Sequence, residues 1–353
     1  MFLPIDAAPP TVRPTSSEIR PGDWAVLARF WHPVAKAEDL AEAPLAVKLL
    51  DVDLVLYRAQ DGVTAALDMC PHRWIRLSAG TVTDGNIVCP FHGLAFDGTG
   101  QCVHVPALGR TAKLPASYRV ATFRTAIKYG MIWVCLDDDS QEPLPTFEAL
   151  EGYDISALGF GNVCLWPMSA ARQIENFFDL AHLPLIHATT LGGDPNGKIK
   201  PARIEERDQS LLFTASFVET VPFEKPTECF LSYELLLPFG INFQSRPDGG
   251  QGFASVNIAS PTTAHTCRVF QVIPVGKPGD IFDAPPVFGS PSDGPGVINQ
   301  QDIDILSHLR IQDLPISEKL EIHLPVDNVS SAYRRRLRQL GLGRAEGAAL
   351  PAG

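Results

Sequence analysis

The sequence predicts an α+β protein in which a small all-β domain precedes a larger domain built on an antiparallel sheet. Short apolar runs separated by Asp, Gln and Gly turn residues fill residues 46–67, which is typical of a compact β-domain. Longer alternating stretches between residues 211 and 275 predict a second, wider sheet. Helical patterns at residues 169–181, 299–308 and 328–340 make the chain mixed rather than all-β.

The first domain is predicted to consist of short strands joined by tight turns. Asp84-Gly85 is a strong hairpin signal, because both residue types tolerate the left-handed backbone of a two-residue turn. The apolar run Met131–Leu136 predicts a last buried strand before an acidic stretch. The earlier strands are expected at residues 46–50, 54–57 and 64–67.

The second domain is predicted to open with a helix from Ser169 to about Ala181, in a segment rich in Ala, Arg, Gln and Glu. A last helix is expected over residues 328–340, with Asp327 or Asn328 as its N-cap and Gly341 as its terminator. The strands between them are expected at residues 211–221, 229–243, 253–259 and 267–275. Residues 276–296 are rich in Pro and Gly and too long for a simple connection, which is typical of a functional lid or a disordered loop.

These elements divide the chain into four segments. A Pro-, Thr- and Ser-rich arm covers residues 1–22, and the small β-domain covers residues 23–142. The boundary is set where the acidic stretch after the last strand runs into two prolines. The larger domain covers residues 143–344, and residues 345–353 are expected to be a flexible tail.

Composition excludes several classes of protein. The 353 residues carry a net charge of -11, whereas a general nucleic-acid binder presents a basic face. No run approaches the apolar length of a membrane span, and the N-terminus lacks the pattern of a signal peptide, so we expect a cytoplasmic protein with no membrane contact. Seven cysteines scattered over a chain of this length do not indicate a disulfide framework.

Two short motifs in the first domain pair a cysteine with a histidine. Cys70-Pro-His72 and Cys89-Pro-Phe-His92 each supply one thiolate and one imidazole. Structural zinc sites usually pair Cys with Cys and His with His along the chain, so zinc is the weaker alternative. One ligand of each type per loop suits a Rieske [2Fe–2S] cluster, in which one iron takes both thiolates and the other both imidazoles.

A second group of candidate ligands follows the predicted helix at residues 169–181. Asp179 and His182 are three residues apart and would share a helical face. Pro184 is expected to end the helix near Leu183, so that His187 turns back toward His182. Two imidazoles would then share one metal.

A non-haem iron(II) that activates oxygen needs a third, anionic ligand beside two histidines. Asp302, at the start of the predicted helix over residues 299–308, is the favoured distant carboxylate. Asp304, two residues further on, is its local competitor.

These motifs together resemble the catalytic subunit of the Rieske non-haem iron oxygenases. The resemblance covers most of the chain, including Phe30-Trp-His-Pro-Val34, both Cys/His loops and the Asn-x-x-Asp-x-x-His-x4-His pattern from Asn176 to His187. The segment ending in Tyr-Arg-Arg-Arg before residue 337 is most similar to the vanillate and dicamba O-demethylases and the caffeine-type N-demethylases. Two positions depart from the pattern: Trp74 stands where Gly usually follows Cys-Pro-His-Arg, and Gln301 stands where Glu often precedes the iron-binding Asp.

The resemblance implies a Rieske domain followed by a helix-grip-like catalytic domain. It also implies a role for each candidate: one cluster iron on Cys70 and Cys89, the other on His72 and His92, and mononuclear iron on His182, His187 and Asp302. Asp179 would link a cluster histidine of a neighbouring subunit to the iron site, which requires a ring, expected to be a homotrimer. Asn176, one helical turn before Asp179, would lie near the open side of the iron, with a purely structural role as the alternative.

The function that follows is mono-oxygenation of a small aromatic or heteroaromatic compound, by O- or N-demethylation. Electrons would come from NAD(P)H through a separate reductase or ferredoxin. Asn242, in the sheet expected to line the pocket, is a candidate substrate contact. Two alternatives stay open: cis-dihydroxylation of an aromatic ring by the same centre, and a Rieske electron carrier without oxygenase chemistry.

Overall fold

The computed structural model describes residues 13–152, 158–221, 225–250, 252–274, 296–317 and 320–343. The chain divides into two compact units, the first ending at Pro145 and the second beginning at Thr146. No helix among these residues is long and apolar enough to span a membrane. The predicted tail, and all but the last residue of the predicted loop at 276–296, lie outside the described residues.

The predicted N-terminal arm is described only in part. Ile19 is buried, and a short helix, α1 (Pro21–Leu27), begins at a proline, which is favoured in a first helical turn. The indole N–H of Trp24 donates to the backbone carbonyl of Leu50 at 2.9 Å. Of the described arm residues, Ile19 is buried, and the helix that follows is held to the first unit through Trp24.

The first unit is built from two antiparallel sheets. Its strands are β1 (His32–Lys36), β2 (Leu45–Leu49), β3 (Val52–Ala59), β4 (Gly62–Leu67), β5 (Thr81–Thr83), β6 (Asn86–Val88), β7 (Ala95–Phe96), β8 (Cys102–His104), β9 (Thr122–Lys128) and β10 (Met131–Cys135). The six-stranded sheet has the order β1-β10-β9-β4-β3-β2, and the four-stranded sheet has the order β5-β6-β7-β8. The predicted hairpin joins β5 to β6, with Asp84 and Gly85 at φ 49° and 72° as a two-residue turn requires.

The second unit is built on one antiparallel sheet. Its strands are β11 (Leu158–Trp166), β12 (Arg203–Glu206), β13 (Ser210–Glu219), β14 (Thr227–Leu236), β15 (Gly240–Pro247), β16 (Phe253–Pro261) and β17 (Cys267–Pro274). They lie in the order β11-β17-β16-β15-β14-β13-β12. The α+β fold class, with a small β-domain and a larger antiparallel-sheet domain, is confirmed.

One predicted strand is two strands in the structure. The stretch from Cys229 to Phe243 turns back at Leu237-Pro238, so that β14 and β15 form a hairpin. Proline has no backbone N–H to contribute to a sheet ladder, so a proline inside a run argues against one continuous central strand. The prediction of one continuous strand was wrong for this reason.

Among the described residues of the second unit, four helices pack on this sheet or beside it: α2 (Ala170–Phe178), α3 (Leu183–Ile186), α4 (Val297–Leu306) and α5 (Asn328–Leu340). The side chain of Ser169 caps α2 by accepting the backbone N–H of Arg172. Helix α5 has the predicted bounds and ends at Gly341 in a left-handed conformation, with φ 105°.

Helices α2 and α4 cover the same side of the sheet. Phe177 at the end of α2 packs edge-on against Phe243 of β15, with ring centroids 5.9 Å apart. The amide of Asn257 on β16 donates to Gln173 of α2 at 3.1 Å. Asn299 of α4 in turn donates to the side chain of Gln271 on β17 at 3.3 Å. Because Asn257 and Gln271 are paired across β16 and β17, both helices are fixed over one patch of the sheet.

A buried ion-pair network ties α2 to α5. Arg334 of α5 makes two hydrogen bonds of 2.8 Å to the carboxylate of Glu175 on α2. Arg172 and Glu321 complete the network, with a 2.7 Å contact between them. Buried pairs of this kind add little net stability. Removing one partner, however, leaves the other charge buried without a counter-charge and costs about 3–5 kcal/mol. The network therefore fixes the position of the helix that leads into the candidate site.

Candidate functional site

The two Cys/His loops extend from neighbouring strand ends of the first unit. Cys70 and Cys89 are buried in its core, with 1% and 2% of their surface exposed, whereas His72 and His92 are exposed. The two imidazole rings meet edge to face, with centroids 4.6 Å apart. The loops thus present two thiols on the inside and two imidazoles at the surface, which is the donor set of a Rieske cluster.

The two loops contain backbone turns of the same type. In the first, the N–H of Trp74 donates to the carbonyl of Cys70 at 2.8 Å, and in the second the N–H of Gly93 donates to the carbonyl of Cys89 at 3.0 Å. Trp74 and Gly93 both have positive φ, 60° and 72°. Glycine adopts this conformation without steric cost, whereas tryptophan does not. Trp74, which departs from the family pattern, therefore has a strained backbone, because the turn requires a left-handed conformation at this position.

The thiol of Cys70 depends on a metal for ionisation. Burial raises its pKa to about 11, and the neighbouring Cys89 adds to the rise. Without a metal this thiol stays protonated at neutral pH. A cluster iron would displace the proton, because the thiolate is the form that binds metal.

A second group of ligand atoms lies in the second unit, where His182, His187 and Asp302 converge. The nearest side-chain N and O atoms of the three residues all lie within 4.8 Å of one another. The Nε2 atoms of His182 and His187 are 3.4 Å and 3.2 Å from Oδ1 of Asp302. His187 and Asp302 are buried, with 1% and 6% of their surface exposed.

The electrostatics of this group fit a cation. Oδ1 of Asp302 is buried and makes no hydrogen bond among the described residues, although both imidazoles lie within 3.4 Å of it. Burial raises the pKa of this carboxyl, but His182 and His187 outweigh it and hold the pKa below its usual value. For His182, burial lowers the pKa, yet Asp179 and Asp302 raise it to a net value of about 9. A buried carboxylate between two imidazoles favours positive charge, and a divalent metal supplies it.

The local chain path differs from the helix expected from the sequence. Helix α2 ends at Phe178, and Asp179 is extended, with φ -72° and ψ 122°. His182 precedes α3 and His187 follows it, so the two ligand candidates lie at opposite ends of one short helix. Pro184 lies in the first turn of α3, where a missing N–H costs nothing, and it begins a helix instead of ending one.

Asp179 contacts His182 through this turn. Its Oδ2 lies 3.2 Å from Nδ1 of His182, and its Oδ1 accepts the backbone N–H of Ala181 at 2.9 Å. The side chain is 39% exposed, so it reaches the surface on the far side of the imidazole. Asn176 lies in the last turn of α2, partly exposed, and its carbonyl accepts the N–H of Asp179 at 3.2 Å.

The competing carboxylate lies elsewhere. Asp304 is exposed, and its Oδ1 accepts a hydrogen bond of 2.6 Å from Gln300. Two residues along α4 rotate a side chain by about 200°, which separates Asp304 from the two histidines. Asp302, and not Asp304, therefore lies beside His182 and His187.

Asn242 does not lie on the side of the sheet that α2 and α4 cover. Side chains alternate along a strand, and its neighbour Phe243 points toward α2. Asn242 therefore points to the opposite side, where its amide donates to Glu234 at 3.0 Å. Asn257 and Gln271 lie on the side that α2 and α4 cover.

Two further residues contact the ligand candidates. Oε1 of Gln301 lies 2.9 Å from Nδ1 of His187, and Thr190 donates to the same oxygen at 3.0 Å. In the sequence Gln301 is notable only as a departure from a family pattern. A glutamine and a threonine more than a hundred positions apart carry no spacing signal that would have identified this contact.

A Rieske-type donor set followed by a two-histidine, one-carboxylate site on an antiparallel sheet is the combination found in Rieske non-haem iron oxygenases. Comparison with known families agrees. The Rieske [2Fe-2S] domain matches residues 30–123, and the vanillate O-demethylase oxygenase C-terminal domain matches residues 166–342.

Individual relatives agree with the family models. Methylxanthine N1-demethylase NdmA of Pseudomonas putida is 31% identical over 333 residues, which cover 91% of each chain. The oxygenase component of dicamba O-demethylase from Stenotrophomonas maltophilia is 39% identical over 163 residues, covering 44% of this chain and 46% of that protein. The solved structure of NdmA with caffeine has a TM-score of 0.77 at 28% identity and covers 90% of this chain and 92% of its own. Dicamba monooxygenase, at 22% identity and a TM-score of 0.66, shares the fold.

The chain therefore belongs to the Rieske non-haem iron oxygenases, with a C-terminal domain of the vanillate O-demethylase type. It is an oxidoreductase, the oxygenase component of its system. Its cofactors are a Rieske [2Fe–2S] cluster and a mononuclear non-haem iron.

Proposed function

We propose that this oxygenase removes a methyl group from a nitrogen or oxygen atom of a small heteroaromatic compound. The convergence of His182, His187 and Asp302 within 4.8 Å carries the proposal, since it supplies the ligands for an oxygen-activating iron. The relatives that match along most of the chain are N-demethylases by name, which supports demethylation over ring cis-dihydroxylation.

In this proposal the two loops of the first unit hold the cluster. Cys70 and Cys89 bind the inner iron, and His72 and His92 bind the outer one. The burial of the thiols and the exposure of the imidazoles support this assignment, because electrons would enter and leave through the exposed side.

His182, His187 and Asp302 hold the mononuclear iron, which, when bound, supplies the reductive activation of O2. One oxygen atom is inserted into a C–H bond of the methyl group and the other leaves as water, with two electrons and two protons consumed. The hydroxymethyl product then breaks its bond to nitrogen or oxygen and releases formaldehyde and the demethylated compound. The chain contributes the ligand set, the burial that excludes bulk water, and the polar contacts that orient the substrate.

Asp179 connects the two metal sites of neighbouring subunits. Its contact with Nδ1 of His182 and its partly exposed carboxylate support a role as a bridge to a cluster histidine of a second copy. This arrangement needs a closed ring, and we propose a homotrimer. The electron donor is a separate reductase or ferredoxin that takes electrons from NAD(P)H in the cytoplasm. Asn176, in the last turn of α2, would lie near the iron.

The α2-facing side of the sheet supports a polar substrate. Gln173, Asn257, Gln271 and Asn299 are buried carboxamides that belong to this side. Carboxamides both donate and accept hydrogen bonds, as the carbonyl and ring nitrogen atoms of a heteroaromatic compound require. A pocket for an unsubstituted aromatic hydrocarbon would be lined by apolar side chains. Asn242, which points away from α2, is not part of this proposal.

The test is product analysis with purified protein, a generic reductase, NADH and a panel of N-methyl and O-methyl heteroaromatic compounds. The proposal expects formaldehyde and one demethylated product in equal amounts, with O2 consumed. A cis-diol product would instead support ring dihydroxylation. Reduction and reoxidation of the cluster without any product, in protein that contains only cluster iron, would support an electron carrier.

A further inference from the structure

The imidazole of His187 is held between two consecutive residues of α4. Its Nε2 lies 3.2 Å from Oδ1 of Asp302, and its Nδ1 lies 2.9 Å from Oε1 of Gln301. One ring nitrogen therefore faces the metal-ligand candidates while the other faces a side-chain amide. We propose that Gln301 is a positioning residue, which fixes the tautomer and orientation of His187 through a neutral hydrogen bond and thereby sets the affinity and potential of the metal site.

The amide of Gln301 is itself fixed at both ends. Its oxygen accepts from the hydroxyl of Thr190 at 3.0 Å as well as from His187, and its Nε2 donates to the hydroxyl of Thr189 at 3.1 Å. Thr190 is buried and follows α3 closely, and its backbone N–H donates to the carbonyl of His187 at 3.0 Å. Ring, amide and both hydroxyls thus form one local network.

This network selects one tautomer of His187. A metal on Nε2 leaves the proton of the neutral imidazole on Nδ1, which then needs an acceptor. Of the two ends of a carboxamide, only the oxygen accepts, and the donor contact to Thr189 turns that oxygen toward the ring. With an apolar residue at position 301, the Nδ1 proton would lose its acceptor and the ring would lose its orientation.

The neutrality of the acceptor has a separate consequence. A carboxylate beside a ligand histidine increases the electron donation of the imidazole and strengthens its bond to the metal. Gln301 gives the same directional hydrogen bond without the negative charge. The metal at His182, His187 and Asp302 is therefore expected to be less electron-rich than it would be with Glu at position 301, which favours the reduced, iron(II) form.

Three substitutions separate geometry from charge. Gln301→Leu removes the acceptor. Gln301→Glu retains the acceptor and adds one negative charge, and its second oxygen can accept from the hydroxyl of Thr189 in place of the amide donor. Gln300→Glu is the control for charge alone, because it adds the same charge one residue earlier on the exposed side of α4. It also removes the hydrogen bond from Gln300 to Asp304, so its thermal midpoint is compared with that of the wild type. Each variant is first checked for retained cluster absorption and thermal midpoint.

The experiment measures Co²⁺ binding by equilibrium dialysis to protein depleted of its mononuclear iron, and the midpoint potential of the reloaded iron by its high-spin ferric EPR signal. Gln301→Leu is expected to raise the Kd for Co²⁺ by about 10- to 100-fold. Gln301→Glu is expected to bind Co²⁺ at least as tightly as the wild type and to lower the midpoint potential well beyond Gln300→Glu. A Kd for Gln301→Leu equal to that of the wild type would overturn the positioning role. Equal potentials for the two Glu variants would overturn the role of neutrality.

The inference rests on the proposed metal site, and the two can fail separately. Wild-type protein that binds no Co²⁺ would refute the metal site and the role of Gln301 with it. Wild-type protein that binds Co²⁺, together with a Gln301→Leu variant that binds it equally well, would refute only the role of Gln301.

Discussion

Oδ2 of Asp179 lies 3.2 Å from Nδ1 of His182, on the side of the ring opposite to Asp302. The imidazole therefore lies between two carboxylates, one buried with the ligand candidates and one reaching the surface. A ligand histidine held by an outer carboxylate is oriented and made more basic. In the proposed bridge, the same contact would give electrons a short path to the iron.

Asp179→Asn is expected to lower turnover by about 10- to 100-fold while leaving both metals bound. Asparagine keeps the oxygen that accepts the N–H of Ala181, so the turn is retained, but it removes the charge beside His182. Iron content, cluster spectrum and product formation are measured on the same preparation. The matched control is Asp194→Asn in the loop after α3, because Asp194 is exposed and its Oδ1 also accepts a backbone N–H two residues on, at 2.9 Å. Equal turnover of the two variants would contradict the bridge.

Cys70→Ser is expected to abolish the visible absorption of the cluster and lower the thermal midpoint of the first unit. The thiolate is a ligand, and metal binding contributes directly to folding free energy. Cys102→Ser is the control, because Cys102 is buried in the same core, with 3% of its surface exposed. Visible absorption of the cluster is compared in the two variants. Retention of the cluster in Cys70→Ser would refute the assignment of Cys70 as a ligand.

Trp74→Gly is expected to retain the cluster. The thermal midpoint of the first unit is expected to shift by no more than about 3 °C. Relief of the left-handed strain at φ 60° and the added backbone entropy of glycine are both about 1 kcal/mol and oppose each other. Gly93→Ala is expected to be clearly destabilising, since a Cβ there would lie 2.8 Å from Cγ of Pro106. If Trp74→Gly loses as much stability as Gly93→Ala, the indole is required by the first unit itself.

Stability of the first unit is expected to fall below about pH 6.5 because of His32. Burial lowers the pKa of this imidazole to about 4, although its hydrogen bond to the carbonyl of Leu27 opposes the shift. The folded chain keeps His32 neutral where the unfolded chain protonates it, so stability is full above pH 6.5 and is lost as the pH falls toward 4. The loss is about 1.4 kcal/mol at pH 5.5.

The check is the thermal midpoint of cluster absorption at about pH 7.5 and about pH 5.5. The drop between the two is expected to shrink in His32→Gln and to persist in His308→Gln, whose histidine is exposed. An unchanged drop in His32→Gln would assign the pH dependence to another group.

The cluster loops could be recognised in the sequence because all four candidate ligands lie within one short segment. The contact between Asp179 and His182 was also predicted, but for a wrong reason: the two residues were expected to share a helical face, and they meet across an extended turn after α2. The rule of three-residue spacing and the actual turn happen to bring the same pair together. The side-chain contact was therefore easier to predict than the backbone conformation that places the two residues together.

Long-range features of the second unit were less accessible. Strand β11 was not predicted, because Gly159 and Gly161 interrupt the alternation that marks a strand. The side of the sheet that Asn242 faces depends on the register of the hairpin after Pro238, and a one-residue shift exchanges the two sides. The contact of Gln301 with His187 joins α4 to the end of α3, and only the folded chain reveals it.

The assignment of Asp302 as an iron ligand is tested by the iron content of the wild type, Asp302→Ala and Asp304→Ala. We predict one iron beyond those of the cluster in the wild type and in Asp304→Ala, and the loss of that iron alone in Asp302→Ala, with cluster absorption unchanged. A wild-type protein that contains only cluster iron, or an Asp302→Ala variant that keeps the additional iron, would contradict the assignment.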